Sequence, residues 1–239
     1  MRPMQKDTRR SEWNAAYDRG GNFLFYPNEE VIRFFARHVA KRTGLDTVQY
    51  REGFGPASRI LDFGCGLGRH VRLALDLGLD GRGIDLSDKA IAAGRSWLSA
   101  VGCGDAEGRL ICGDGRSLPF EDGFFDAAVS HAVLDSMPFE HARVAIGEIA
   151  RVLKPGALFY LDLISPEDSE LQDQGFTGEL TVSKDHELGT VQSYFDPDKI
   201  SRLLEGQFQL KELVLVRRTV LTVSAHASRY HAVAQRITS

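Results

Sequence analysis

The stretch Arg59 to His70, R-I-L-D-F-G-C-G-L-G-R-H, constrains the fold more than any other part of the chain. Arg59 to Phe63 is short and apolar and predicts a buried strand ending beside a carboxylate, Asp62. Gly64, Gly66 and Gly68 then predict a sharp turn, and His70 to Leu77 the start of a helix. Glycine accepts positive φ and lets a ligand approach the bare backbone. The N–H groups that open the following helix have no intrahelical partner and point at that ligand. Asp80 to Ile84 predicts a second short strand, ending at Asp85. An acid about 20 residues beyond the first glycine of such a turn is placed to hold both hydroxyls of a ribose. Together, the turn and the acid point to a ligand that carries a nucleoside.

Strands and helices alternate onward from there. Ser87 and Asp88 open a helix to about Ala100, in which Gly94 is a mild cost. Arg109 to Cys112 predicts a third strand, followed by Gly113-Asp114-Gly115. Phe125 to Ser130 predicts a fourth, and His131 follows its carboxyl end, where open α/β sheets place ligands. Ala142, Ala145, Ile146, Ile149, Val152 and Leu153 recur with helical spacing over Phe139 to Leu153. Lys154-Pro155-Gly156 ends that helix, and Ala157 to Leu163 predicts a fifth strand. This alternation predicts a parallel sheet covered by helices.

The flanks are less regular. Residues 1 to 10 read as frayed. Ser11 is a candidate N-cap for a helix through Tyr17, broken by Gly20-Gly21. Asn28 is a second N-cap, before an apolar face of Val31, Ile32, Phe34, Phe35 and Val39. Residues 44 to 58 read as a loop. An acidic excursion runs from Ser165 to Gln192, within which Thr177 to Ser183 and Gly189 to Phe195 can pair as a hairpin. Asp196-Pro197 starts a helix through Leu204. Phe208 to Val223 and Ser228 to Ile237 predict a closing strand pair.

No domain linker interrupts the chain, so residues 1–239 are expected to form one domain. Hydrophobic residues make up 43% and charged residues 26%, an ordinary balance for a packed domain. A net charge of −4 argues against a dedicated nucleic-acid binder. No apolar run has the length of a membrane helix, and the N-terminus lacks the apolar core of a secretory signal. Cys65, Cys103 and Cys112 are odd in number and lack zinc spacing. A cytoplasmic protein with reduced thiols and no metal is the expectation. The oligomeric state is not legible.

Asp62-Phe63-Gly64-Cys65-Gly66-Leu67-Gly68 resembles the first motif of class I S-adenosylmethionine-dependent methyltransferases. Gly113-Asp114-Gly115, the L-P-F-x-D-x-x-F-D pattern from Leu118 to Asp126, and Leu153-Lys154-Pro155-Gly156 match the same family. The resemblance covers Arg59 to about Gly156. It implies a Rossmann-like, seven-stranded, mostly parallel sheet with helices on both faces. A C-terminal antiparallel strand pair, an N-terminal helical cap (1–45) and a lid insertion (165–195) complete the expected α/β fold. It implies S-adenosylmethionine as cofactor, with Asp62, Gly64, Cys65, Gly66 and Gly68 around its methionine part. Asp85 would hold the ribose, Leu86 would pack on the adenine, and Asp114 and Gly115 would bind the adenine edge. Ser130 and His131 would form the floor. Tyr17 and Tyr26, with Trp13, would cover the site, and Arg19 is a candidate for the methionine carboxylate. His131 and then His186 are the candidate general bases for an oxygen or nitrogen acceptor on a small molecule. Two other readings stay open. One is an NAD-binding oxidoreductase, against which the G-x-G-x-G spacing counts. The other is a protein that binds S-adenosylmethionine without methylating anything.

Overall fold

The computed structural model describes residues 9–20, 22–169, 171 and 175–238. Helix α1 (Arg10–Asp18) leads into α2 (Glu29–Phe34), which continues as one π-helical stretch, Phe35–Val39. A small hairpin follows, β1 (Ala40–Arg42) and β2 (Val48–Tyr50), the second strand falling within residues 44–58, which the sequence reads as loop. The alternating core is β3 (Arg59–Phe63), α3 (Arg69–Asp76), β4 (Asp80–Asp85), α4 (Asp88–Ala100), the single turn α5 (Ala106–Arg109), β5 (Leu110–Cys112), β6 (Phe125–Ser130), α6 (Phe139–Val152) and β7 (Leu153–Ile164). The acidic excursion carries a hairpin, β8 (Glu179–Thr181) with β9 (Val191–Ser193). Helix α7 (Pro197–Leu204) then leads to β10 (Phe208–Val220) and β11 (Ala225–Arg236).

Local chemistry explains several of the boundaries. The Asn28 side chain accepts from the Glu30 N–H, Ser87 from Ala90 and Asp196 from Lys199, so these three cap α2, α4 and α7. Pro197 occupies the first turn of α7, where its missing N–H costs nothing. Ser11 does not cap α1. The helix starts at Arg10, and the Ser11 hydroxyl turns to Glu12. Ile32 faces outward at 43% exposure, while Val31, Phe34, Phe35 and Val39 are buried.

Seven strands form one sheet in the order β10-β11-β7-β6-β3-β4-β5. The pairs from β5 through β7 are parallel, and β11 inserts antiparallel between β7 and β10. Side chains alternate between two faces, as pleated strands require. Leu61, Ala128, Phe159, Leu161, Ala232 and Ala234 pack under α6 and α7. Ile60, Ala127, Val129, Tyr160 and Val233 pack under α2, the π-helical stretch and α3. The strand order runs outward from β3 to β5 on one side and from β6 to β7 on the other. It therefore reverses between β3 and β6, and the carboxyl ends of those strands flank a crevice where open α/β sheets bind ligands. Helix α4 docks closely on the turn after β3: a Cβ at Gly94 would lie 2.6 Å from the Leu67 carbonyl oxygen. Among the described residues, no helix is long and apolar enough to cross a membrane.

Candidate active site

A cavity of about 220 Å³ opens at that crevice. Its base is the turn after β3. Gly64 and Gly66 line it, with φ of +71° and +53°, a backbone region that L side chains rarely adopt. A Cβ at Gly64 would lie 2.3 Å from Val133 Cγ2, and one at Gly66 would lie 2.6 Å from the Tyr17 hydroxyl. Both positions thus hold the main chain bare toward the cavity and its cover. Cys65 lines the same turn, and burial pushes its thiol pKa up.

The neighbouring strand ends add two acids. Asp85 lines the cavity and accepts from the Gly66 N–H at 2.9 Å and the Ser87 N–H at 2.8 Å. Burial raises its pKa against those two donors. A carboxylate has about four lone-pair sites, so acceptor capacity remains for ligand hydroxyls. Leu86 lies beside it on the cavity wall. Asp114 and Gly115 follow β5, and both line the cavity. Arg116 forks onto Asp114, with Nη2 2.6 Å from Oδ2 and Nε 3.0 Å from Oδ1. That pairing holds the carboxyl below its ordinary pKa.

His131 follows β6 and lines the cavity, but its geometry is not that of a free base. Arg69 Nη2 lies 3.2 Å from His131 Nδ1. A guanidinium only donates, so Nδ1 is the acceptor and the ring proton sits on Nε2. Nε2 lies 3.7 Å from Asp162 Oδ2. Burial lowers the His131 pKa to about 4, against the pull of Asp162. His70 also lines the cavity, its ring centroid 5.7 Å from that of His131. Its Nε2 accepts from the Asn28 N–H at 3.2 Å, which leaves Nδ1–H to face Asp62 Oδ1 at 3.4 Å.

Beneath the floor lies a buried ionic cluster that no sequence pattern announces. Arg229 donates from Nε to Asp162 Oδ2 at 2.7 Å and from Nη2 to Asp135 Oδ2 at 2.6 Å. Asp162 Oδ1 accepts from the Ala132 N–H at 2.7 Å, and Asp135 Oδ2 from the Ile164 N–H at 2.8 Å. Burial opposes the charge on Asp162, but Arg229 and His131 outweigh it and hold the carboxyl down to about 2. For Asp135 burial wins, and its pKa is raised. The cluster fixes the loop after β6, including Ala132 at φ +57°, a strained value for a residue with a Cβ. That loop carries the cavity residues Val133, Ser136 and Met137.

The roof is built from α1 and the tip of the excursion. Trp13 and Tyr17 line the cavity from α1, and Glu187, Thr190 and Val191 from the excursion. Arg9 donates to the Gly189 carbonyl across the joint. Burial, and then Asp85, push the Tyr17 phenol well above its ordinary pKa, so it stands as a neutral hydroxyl.

Several expected site residues sit elsewhere. Tyr26 is 85% exposed and lies off the cavity, because the 23–26 segment turns its ring to the surface. Gly68 is the left-handed residue before α3 and packs on Leu110, not on the cavity. Asp62 and Ser130 are buried in the sheet one layer below. Asp62 reaches the cavity only through His70, and the Ser130 hydroxyl has no partner among the described residues. Arg19 is exposed and lies off the cavity. His186 belongs to a single 3-10 turn, Asp185–Glu187; its side chain lies outside the described residues, as do Glu170 and Asp173 of the excursion. Sequence reasoning missed Arg69, Arg116, His141 and Met137, all on the cavity wall. Of these only Arg69 carried a signal, its place directly after the glycine turn.

The comparisons with known proteins agree with this geometry. A family model described as "Methyltransferase domain" matches residues 61–161. The chain is 29% identical over 157 residues to a sterol 4-C-methyltransferase of Caenorhabditis elegans, covering 62% of this chain and 43% of the relative. It is 30% identical over 170 residues to an O-methyltransferase of Pyrenophora dematioidea, covering 69% of this chain and 59% of the relative. The chain thus spans less than half of the sterol methyltransferase it matches. Among solved structures, a SAM-dependent methyltransferase from Methanosarcina mazei aligns with a TM-score of 0.63 at 25% identity, covering 77% of this chain and 95% of that one. The seven-stranded order, the glycine turn and the matched region agree: over residues 61–161 the chain carries a methyltransferase domain, on the fold of the class I S-adenosylmethionine-dependent methyltransferases.

Proposed function

We propose that the chain transfers a methyl group from S-adenosylmethionine to an oxygen or nitrogen atom of a small-molecule acceptor. One observation carries this reading. The bare turn at Gly64 and Gly66, Asp85 after β4 and Asp114 after β5 lie in a row along one cavity. The row matches, part by part, a ligand with an amino-acid arm, a ribose and a purine. Gly64, Cys65 and Gly66 would run beneath the methionine part. Asp85 would accept from the ribose hydroxyls, and Leu86, Asp114 and Gly115 would frame the adenine. Tyr17 would close over the turn from above.

The cofactor's sulfonium makes its methyl group electrophilic, so no covalent nucleophile is required of the protein. The chain's task is to hold the acceptor atom in line and keep water out, and alignment of this kind is worth on the order of 7–11 kcal/mol in ideal cases. Trp13, Leu24, Val133, Met137 and Val191 give the remaining cavity wall an apolar character, suited to an acceptor with a ring or hydrocarbon body. His131 does not serve as the general base, because its acceptor nitrogen is engaged by Arg69. His186 stays the candidate, because its turn carries the lining residue Glu187. The relatives are named for methylation at both carbon and oxygen, and the heteroatom reading takes the second. Three free cysteines fit a reducing compartment such as the cytoplasm.

Titration calorimetry with S-adenosylhomocysteine and with NAD tests the site, and transfer of labelled methyl to a panel of phenols, alcohols and amines tests the activity. Binding of the first ligand alone, followed by label on one acceptor class, is the expected result. NAD binding in its place would overturn the reading, and cofactor binding without transfer to any acceptor would leave a binding protein.

A further inference from the structure

The two edges of the seven-stranded sheet are built differently. At one stands β5, only three residues long. At the other stands β10, thirteen residues long, and among the described residues no strand pairs with its outer side. A long edge is a row of unpaired N–H and C=O groups ready to take another strand. Natural sheets blunt such edges with short strands, proline, bulges or inward charges. β10 carries no proline, and its register shift lies near its start, between Leu210 and Glu212. From Glu212 to Val220 its ladder with β11 is unbroken. The cations of this stretch are held to the two faces of the sheet by their own chain: Arg218 pairs with Glu29, and Arg217 with Glu167 at 4.0 Å. Between these charges and beyond them, Val214, Leu215 and Val220 stand 50%, 40% and 53% exposed.

The sequence of this edge is complementary to itself. A two-fold axis through the edge makes two copies of β10 antiparallel and closes the assembly at two. Directly opposite side chains then share a face of the sheet. Glu212 meets Arg37 and His38, and Arg218 meets Glu29, so both project to the face that α2 and its π-helical continuation cover. A register centred on Val214 brings Arg217 to Lys211, like against like. One centred on Val216 sets Arg218 against Val214 and Arg217 against Leu215. The register centred on Leu215 sets Glu212 of each copy against Arg218 of the other, and Val214 against Val216. Arg218 would then lie between Glu29 of its own chain and Glu212 of the second, which its five donors allow. The seven residues from Glu212 to Arg218 span about 24 Å and supply about six to eight backbone hydrogen bonds.

We propose that the chain forms a two-fold dimer through β10, paired antiparallel and centred on Leu215, so that the two sheets join into one. The inference does not depend on what the cavity binds. β11 and β7 separate β10 from the crevice between β6 and β3, so the pairing leaves the cavity open.

Sedimentation equilibrium of the full chain tests it. The expected particle has twice the 26.5 kDa mass of the chain. Leu215→Lys sets ammonium against ammonium at the two-fold axis and is expected to weaken the dimer by at least about tenfold, with the melting temperature of the monomer fold recorded alongside. A cysteine pair reads the register and serves if the lysine variant does not fold. Opposite residues of an antiparallel pair have Cα atoms about 4.5 or 5.5 Å apart, within disulfide reach. Leu215→Cys is therefore expected to crosslink to itself under mild oxidation, and Val214→Cys, which faces Val216, is not. The wild type, with its three native cysteines, is the baseline for both. A wild-type chain that stays monomeric at about 50 μM would overturn the proposal, as would a dimer that Leu215→Lys leaves intact. Crosslinking at position 214 equal to or above that at 215 would overturn the register.

Discussion

Arg229 offers the sharpest test of how the floor of the site is held. Arg229→Met keeps most of the apolar stem of the side chain and removes its charge. Two charge-assisted bonds, 2.7 Å to Asp162 and 2.6 Å to Asp135, are lost together. Both carboxylates are enclosed, with side-chain exposures of 0% and 1%, so neither can turn to water. Breaking a buried pair on one side costs about 3–5 kcal/mol, because a charge is left uncompensated. Arg229 itself keeps 25% of its side chain exposed, which places the expected loss at the lower end, about 3 kcal/mol. For a chain of this size that corresponds to a fall in melting temperature of roughly 6–12 °C. The loss should also depend on pH. A buried carboxylate without its cation has a folded-state pKa above its unfolded value, so the folded state binds the extra proton and stability falls as pH rises. Urea denaturation of wild type and variant at about pH 5 and about pH 8 reads both effects. A penalty below about 1 kcal/mol, or one equal at the two pH values, would refute the idea that Arg229 neutralises these acids.

The other predictions concern single positions. Burial lowers the His131 pKa from 6.5 to about 4, so the unfolded chain binds the extra proton between those values. Its contribution is full above about pH 6.5 and is lost as pH falls toward 4, up to about 3 kcal/mol, and His131→Asn should flatten that part of the stability curve. Gly64→Ala places a Cβ 2.3 Å from Val133 at a φ of +71°; a loss of about 1–3 kcal/mol by denaturation and of S-adenosylhomocysteine binding is expected. Lys199 donates to the Thr177 and Tyr194 carbonyl oxygens at 2.6 Å and 2.9 Å and lies 4.5 Å over the Phe195 ring. Lys199→Met should cost about 1–2 kcal/mol and speed proteolysis within the β8–β9 hairpin.

The parallel core was legible because its rules are local. Apolar runs, glycines with positive φ and capping residues at Asn28, Ser87 and Asp196 act within a few residues of one another. The closing strand pair and the hairpin of the excursion were legible for the same reason. The β1–β2 hairpin was not, since Ala40–Arg42 and Val48–Tyr50 are too short and too exposed to show an alternating pattern. Asp85, Leu86, Asp114 and Gly115 could be placed on the cavity because strand ends converge there by topology. Tyr26 could not, because whether an aromatic ring on a connecting segment turns inward depends on packing with α4, where Phe25 meets Trp97 instead. Arg229 lies 94 residues from Asp135 and 67 from Asp162, and only the antiparallel insertion of β11 brings them together.

Gly94 carries a mechanical meaning beyond its small helical cost. With no side chain at that position, α4 rests directly on the Leu67 carbonyl, backbone against backbone. A joint of that kind has no rotamers to absorb displacement. Any tilt of α4 is therefore passed on undamped to the glycine turn at the base of the cavity, and residues on the outer surface of that helix acquire leverage over a site they never touch.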